Sequence, residues 1–193
     1  MKQKILYAAA AAAIIASGAY YQSRIDPLHP KVAGVTLDRS VEAVHGEPIK
    51  VAAAVDGDTV TLINGERIRY IGMDTPEEVD PRKPVQCFAR EAADRNHQLV
   101  DGKPVKFYMD VNEKDQYGRW LGFVYLEDGT FVNLELVRQG YAFAYPFPPD
   151  ISKSEEFRAA EDYARTNKLG LWGGVCQVTK LKSGREQTNA IGH

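Results

Sequence analysis

The sequence predicts a β-rich α+β domain in which five short strands form a small barrel with three helices around it. Three observations carry this. Residues 49–73 and 105–126 hold apolar or alternating stretches of strand length, punctuated by Gly turns. Residues 84–100 switch to a helical period between the third and fourth strands. Two further helical stretches follow the last strand, one ending at Gly140 and one at Gly170.

Taken in order, residues 49–55 form an apolar run of strand length, and residues 59–63 alternate. Asn64-Gly65 is a two-residue hairpin signal leading into a third strand over 67–73. In 84–100, Val85, Phe88, Ala89, Ala92, Ala93 and Leu99 recur on one helical face, and Gly102 stops the run. Residues 105–111 and 121–126 read as strands four and five. Asn133 is placed to cap a short helix ending at Gly140, and Ser152-Lys153-Ser154-Glu155 reads as a capping box for a helix ending at Gly170. Periodicity alone supports a small α+β barrel or sheet. The order, three strands, a helix, two strands and two helices, is that of a five-stranded OB-fold barrel.

The chain is 44% hydrophobic and 26% charged, enough apolar material for one core. Its net charge is -2, and -4 once Lys2 and Lys4 are set aside, so any polyanion-binding surface must be local. Residues 1–19 read as an export signal: Lys2 and Lys4, an apolar Ala-rich run over 5–16, then Ser17-Gly18-Ala19. The alternative is a membrane tether through residues 5–21. The expected location is therefore exported, periplasmic or extracellular. Residues 20–48, broken by Pro27, Pro30 and Pro48, read as a spacer, 49–177 as the domain, and 178–193 as a polar flexible tail. Export makes Cys87 and Cys176 candidates for one disulfide, the alternative being two separate buried thiols.

Two acidic clusters stand out. Asp56-Gly57-Asp58-Thr59 lies between strands one and two, and Asp74-Thr75-Pro76-Glu77 follows strand three. Either alone reads as a solvated turn. Because a hairpin joins strands two and three, Asp58 and Asp74 fall at the same end of the sheet, with Glu77 nearby. Converging like charges call for a cation, and oxygen ligands suit Ca²⁺ or Mg²⁺ equally. Arg69 and Arg119 could clamp a phosphate there, although each could equally be a surface ion pair. The five-residue spacing of Arg69 and Asp74 places them on opposite faces of a regular strand, so a bend is required to unite them.

The segments VDGDTVTL, IRYIGMDTPE, DQYGRWLGFVY, VNLELVRQGYA and LGLW, taken together over residues 49–172, resemble the staphylococcal nuclease (thermonuclease) family in order and spacing. The resemblance implies a calcium-dependent endonuclease that hydrolyses DNA and/or RNA and leaves 3′-phosphates. It implies Asp58, Asp74 and the main-chain carbonyl of Thr75 as Ca²⁺ ligands, and Glu77 as general base or water-orienting group. It implies Arg69 and Arg119 as scissile-phosphate residues and Tyr117 as a neighbour of a nucleotide phosphate. Tyr145, in the aromatic run of Tyr141, Phe143, Tyr145 and Phe147, falls where the family supplies base-stacking tyrosines. Gln116 departs from the family by standing where a lysine is found, which implies weaker substrate binding. A noncatalytic nucleic-acid-binding barrel would be expected to lack some of these acidic and arginine positions, and an envelope interaction protein has no use for them. No obligate protein partner is expected, and the chain is read as a monomer.

Overall fold

The computed structural model describes residues 47–78 and 84–191. The expected export segment and all but the last two residues of the spacer lie outside them, as does the alternative tether. Strands β1 (Ile49–Ala54), β2 (Thr59–Leu62) and β3 (Arg67–Tyr70) form an antiparallel meander. β5 (Pro104–Tyr108) and β6 (Trp120–Leu126) pair antiparallel, β6 joins β3 in parallel, and β5 returns to β1. The five strands thus close into a barrel in the order β1-β2-β3-β6-β5. Helices α1 (Ala89–Val100), α2 (Val132–Arg138) and α3 (Ser154–Thr166) complete the predicted α+β OB-fold arrangement.

The alternation read in the sequence becomes the core. Val51, Val60, Leu62, Ile68, Tyr70, Val105, Phe107 and Val124 are buried, and Phe157 of α3 stacks on Phe123 of β6. The hydroxyl of buried Tyr70 donates to Asn96 Oδ1 on α1, and Asn96 Nδ2 donates to the Asp56 carbonyl. The loop that leads to Asp58 is thereby fixed to α1 from inside the barrel.

Several local expectations change. The β2–β3 hairpin has a three-residue loop, closed by Leu62 N donating to the Glu66 carbonyl. A two-residue type I′ turn needs positive φ at both central residues. Here Gly65 has it (φ 85°), while Asn64 is not among the non-glycine residues that do. The helix predicted from residue 84 starts at Ala89, because Phe88 is left-handed (φ 72°) and residues 85–87 are held elsewhere. Asn133 is no cap: it is wholly buried, its Oδ1 accepting from Val124 N and its Nδ2 donating to the Ile71 and Gly122 carbonyls. It ties β6 to the Ile71 link that follows β3. The expected capping box is also absent from α3, where Ser152 N donates to Asp110 instead. That helix stops at Thr166, ahead of Gly170, which opens a 3-10 turn (Gly170–Trp172).

Beyond the barrel, the chain breaks after β3 and restarts as β4 (Gly72–Asp74), which pairs with β7 (Phe143–Tyr145). Gly72 permits this turn: its φ is 81°, and a Cβ there would lie 2.3 Å from the Phe157 ring. The polar segment expected to be a flexible tail differs most. It folds as a hairpin of β8 (Val178–Lys180) and β9 (Glu186–Thr188). Long-range anchors explain it. Cys87 and Cys176 form the expected disulfide, Cys87 N donates to the Asn189 carbonyl, and the buried Thr188 hydroxyl donates to the Cys87 carbonyl.

The disulfide spans a sequence separation of 89 residues. Closing so long a loop removes much of the entropy of the unfolded chain. A Cys87→Ser/Cys176→Ser variant is expected to lose about 2–4 kcal/mol of unfolding free energy. Urea titration of both proteins, with and without reductant, measures it. An unchanged midpoint would show that the hairpin holds without the bridge.

Candidate active site

Asp58 stands at the entry to β2 and is 2% exposed, while Asp74 ends β4 at 4%. The break at Ile71–Gly72 supplies the bend that a regular strand lacks. It lets one guanidinium bridge both carboxylates: Arg69 Nη1 donates to Asp58 Oδ1, and Nη2 donates to Asp74 Oδ1 at 2.9 Å. Asp58 Oδ2 accepts from Thr75 N at 3.2 Å and from Thr75 Oγ1 at 2.9 Å. Thr75 is also buried, so these groups are packed together rather than merely near.

Arg119 joins the same network from the other side. Ile68 of β3 pairs with Trp120 of β6, which carries the neighbouring Arg119 toward β2. Its Nη1 donates to Thr59 Oγ1 at 3.4 Å, and that hydroxyl donates to Asp58 Oδ1 at 3.2 Å. Its Nε donates to Asp115 Oδ2 at 2.7 Å. Asp115 Oδ1 accepts from the main-chain N–H groups of Tyr117 and Arg119, so this carboxylate shapes the whole turn. Tyr117 is 75% exposed, with the Arg119 guanidinium 5.6 Å from its ring.

Glu77 is positioned by Gln86, whose side-chain oxygen accepts from Glu77 N at 2.8 Å and whose N donates to the Glu77 carbonyl at 2.9 Å. Arg69, Asp74, Glu77, Tyr117, Arg119 and Tyr145 all line one cleft of about 760 Å³. Asp58 and Thr75 connect to its wall through Arg69 and Asp74. Phe147 stacks on Tyr145 with ring centroids 6.2 Å apart. Asp150 also lines the cleft and accepts three hydrogen bonds from Val111 and Asn112.

Four contributors escape a reading of the sequence. Asp115 holds both the Arg119 guanidinium and the turn's main-chain N–H groups, and Gln86 holds the main chain of Glu77. Asp56 looks like a turn residue, yet its Oδ1 accepts from Asp58 N at 3.0 Å beside the acidic pair. Arg185, from the supposed tail, donates through Nε to Asp74 Oδ2 at 2.6 Å. The Asp-Gly-Asp spacing could have flagged Asp56, but nothing local flags Arg185.

The electrostatics follow from burial. Desolvation pushes the Asp74 carboxyl above its ordinary value, and the charges of Arg69 and Arg185 offset part of that rise. Burial acts against the charged form of Arg69, but Asp58, Asp74 and Asp56 outweigh it, so its pKa is raised. The cleft is therefore a cluster of carboxylates held by guanidinium groups.

A model of the family described as "Staphylococcal nuclease homologue" matches residues 67–174, more than half of the chain. The chain belongs to the staphylococcal nuclease family. It is 35% identical over 154 residues to Endonuclease YncB of Bacillus subtilis (strain 168), covering 77% of this chain and 66% of that protein. It is 34% identical over 137 residues to Thermonuclease of Staphylococcus intermedius, covering 69% of this chain and 81% of that one. Thermonuclease of Staphylococcus hyicus is 35% identical over 126 residues, 64% of this chain and 74% of that protein. The chain thus spans just under two thirds of YncB and larger shares of the two thermonucleases.

As a family member, the chain has a donor set whose fit to a divalent cation can be tested. Asp58, Asp74 and the Thr75 carbonyl offer only oxygen, the chemistry that hard cations take. Among the described residues no group of three or more His, Cys, Asp or Glu side chains is gathered as a cage for a metal. Three protein oxygens suffice for a cation that keeps several waters. The donor chemistry fits, on the condition that Arg69 and Arg185 give up carboxylate oxygens.

Asp56 yields a pH-dependent expectation. Burial first, and then the Asp58 charge, push its carboxyl up from 3.8 to about 7. An acid with a higher pKa folded than unfolded binds its proton more tightly in the folded state. It therefore costs stability progressively from about pH 4 to about pH 7, and in full above that. Asp56→Asn keeps the acceptor oxygen for Asp58 N and removes the charge. Without divalent cations it is expected to match the parent near pH 4 and to gain about 1–3 kcal/mol near pH 8. Urea midpoints at the two pH values measure this, and equal midpoints near pH 8 would contradict it.

Proposed function

We propose that this chain is an endonuclease that hydrolyses phosphodiester bonds of DNA and/or RNA, depends on calcium and leaves 3′-phosphates. The observation that carries the reading is the convergence of Arg69, Glu77 and Arg119 on one cleft with the Asp58–Asp74 pair. Membership of the family supports it, and the relatives above bear endonuclease and thermonuclease names.

Substrate phosphate would be received between Arg69 and Arg119, whose planar forks suit its oxygens. Glu77 would take the proton of a water as the water attacks phosphorus in line with the P–O5′ bond, which breaks to leave the 3′-phosphate and a 5′-oxygen that takes up a proton as the 5′-hydroxyl. The two guanidinium groups would then stabilise the extra negative charge of the transition state. Calcium held by Asp58, Asp74 and the Thr75 carbonyl would neutralise a phosphate oxygen. Tyr117 and the Tyr145–Phe147 pair would contact the nucleotide, with stacking contributing about 1–3 kcal/mol per base. The N-terminal segment and the disulfide support export to an oxidising compartment. We read the active form as a monomer without an obligate protein partner.

The test is cleavage of single-stranded DNA, duplex DNA and RNA by the oxidised protein in Ca²⁺, Mg²⁺ or EGTA, with end-group analysis of the products. The reading expects calcium-supported cleavage yielding 3′-phosphates. Cleavage that survives EGTA, or 5′-phosphate products, would require another mechanism. Binding without cleavage in any metal would favour the noncatalytic barrel.

A further inference from the structure

We propose that Arg185, carried on the C-terminal hairpin, is a third phosphate-binding guanidinium of the cleft, taking a backbone phosphate next to the scissile one. This rests on the nuclease reading and extends it to a residue beyond position 174, where the family match ends.

The hairpin is held in place at its base. Cys176 is bonded to Cys87, Ile191 N donates to the Val85 carbonyl, and Gln177 N donates to Asn189 Oδ1. Arg165 of α3 pairs with Glu186 of β9. The segment that anchors it, residues 85–87, also contains Gln86, which positions Glu77. One short stretch therefore sets both Glu77 and the hairpin against the same cleft.

At the cleft, Arg185 sits in the wall with 37% of its side chain exposed. Its Nε–H goes to Asp74, and its guanidinium lies 5.8 Å from the Tyr145 ring. Among the described residues its terminal nitrogens have no hydrogen-bond partner, although they carry four of the five N–H donors. Those donors suit a phosphate. Lys180 and Lys182 are exposed on the same hairpin. In a chain of net charge -2, Arg185 adds a third guanidinium to a cleft already lined by Arg69 and Arg119, a local concentration of positive charge of the kind a polyanion requires. Arg69 and Arg119 are carried on or beside barrel strands, whereas Arg185 reaches Asp74 from the hairpin outside the barrel, on the other carboxylate oxygen from Arg69. A neighbouring nucleotide's phosphate is the natural partner for that position.

The full chain, Arg185→Gln and Arg185→Lys are titrated with a fluorescent single-stranded phosphorothioate oligonucleotide, which keeps its charge and resists cleavage. Anisotropy is followed in calcium from roughly 50 to 200 mM salt. Loss of one phosphate contact is expected to weaken binding about tenfold and to lower the salt slope by about 0.7 in Arg185→Gln. Arg185→Lys keeps the charge, so it should retain the slope while losing a few-fold in affinity with its fork. Thermal melting accompanies each protein. If Arg185→Gln melts early, the Lys variant decides, and full affinity there counts against the fork. Unchanged slope and affinity in a folded Arg185→Gln would make Arg185 only the counter-ion of Asp74, overturning the proposal. In that case less calcium should be needed for binding. A parent protein that neither binds nor cuts nucleic acid would instead overturn the nuclease reading and this proposal with it.

Discussion

Glu77→Gln is expected to lower kcat on single-stranded DNA by about a thousandfold while leaving KM and thermal stability near those of the parent. A positioned general base contributes about 10²–10⁴-fold. Gln is isosteric with Glu but cannot take a proton from water at neutral pH. The two bonds that fix residue 77 to Gln86 are made by its main-chain N and carbonyl, so the substitution leaves both in place. This separates chemistry from folding. Initial rates in saturating calcium, with melting curves on the same samples, make the measurement. A rate within a few-fold of the parent would remove Glu77 from proton transfer and return attention to the other acids of the cleft. A fall in rate accompanied by an early melt would assign Glu77 a structural role instead.

Much of this site is written in local patterns, because its main parts sit on strands whose alternation is clear. The hairpin signal at Asn64-Gly65 is enough to bring Asp58 and Asp74 to one end of the sheet, although the loop has three residues. The relation of Arg69 to Asp74 is not legible in that way. It depends on a strand break at Gly72, where a positive φ and the close Phe157 ring, 85 residues on, both call for a glycine. Asn133 is opaque for a similar reason: a cap and a buried bridging amide are the same residue type, and only the fold decides which main-chain groups the side chain meets. The C-terminal hairpin is the extreme case. Its sequence is polar and has no apolar face to announce strands. Its order comes from a disulfide, a buried threonine hydroxyl and pairing to residues about 100 positions away. Arg185 could be found only once those anchors were seen.

Arg69→Met should separate the two roles of the residue that bridges the acidic pair. In the parent, the guanidinium holds Asp58 and Asp74, whose side chains are 3% and 5% exposed. Removing one partner of a buried ion pair leaves charge uncompensated and costs about 3–5 kcal/mol. Methionine fills similar volume, so packing contributes little to the loss. In EDTA the variant is therefore expected to unfold at markedly lower urea, with Arg185 the remaining cation on Asp74 among the described residues. Calcium should restore more stability to the variant than to the parent. In the parent a cation must displace both Arg69 and Arg185, whereas in the variant Arg185 on Asp74 is the one guanidinium left to displace among the described residues, and any ligand specific to the folded state stabilises by mass action. Turnover should nevertheless stay at least a hundredfold down in calcium, because the phosphate clamp is gone. Arg119→Lys offers the contrast. Its partner Asp115 is less buried, at 17% exposed, so turnover should fall comparably with little change in stability. If calcium stabilised Arg69→Met no more than the parent, Asp58 and Asp74 would not be its ligands. If turnover recovered with stability, Arg69 would serve only to hold the carboxylates apart.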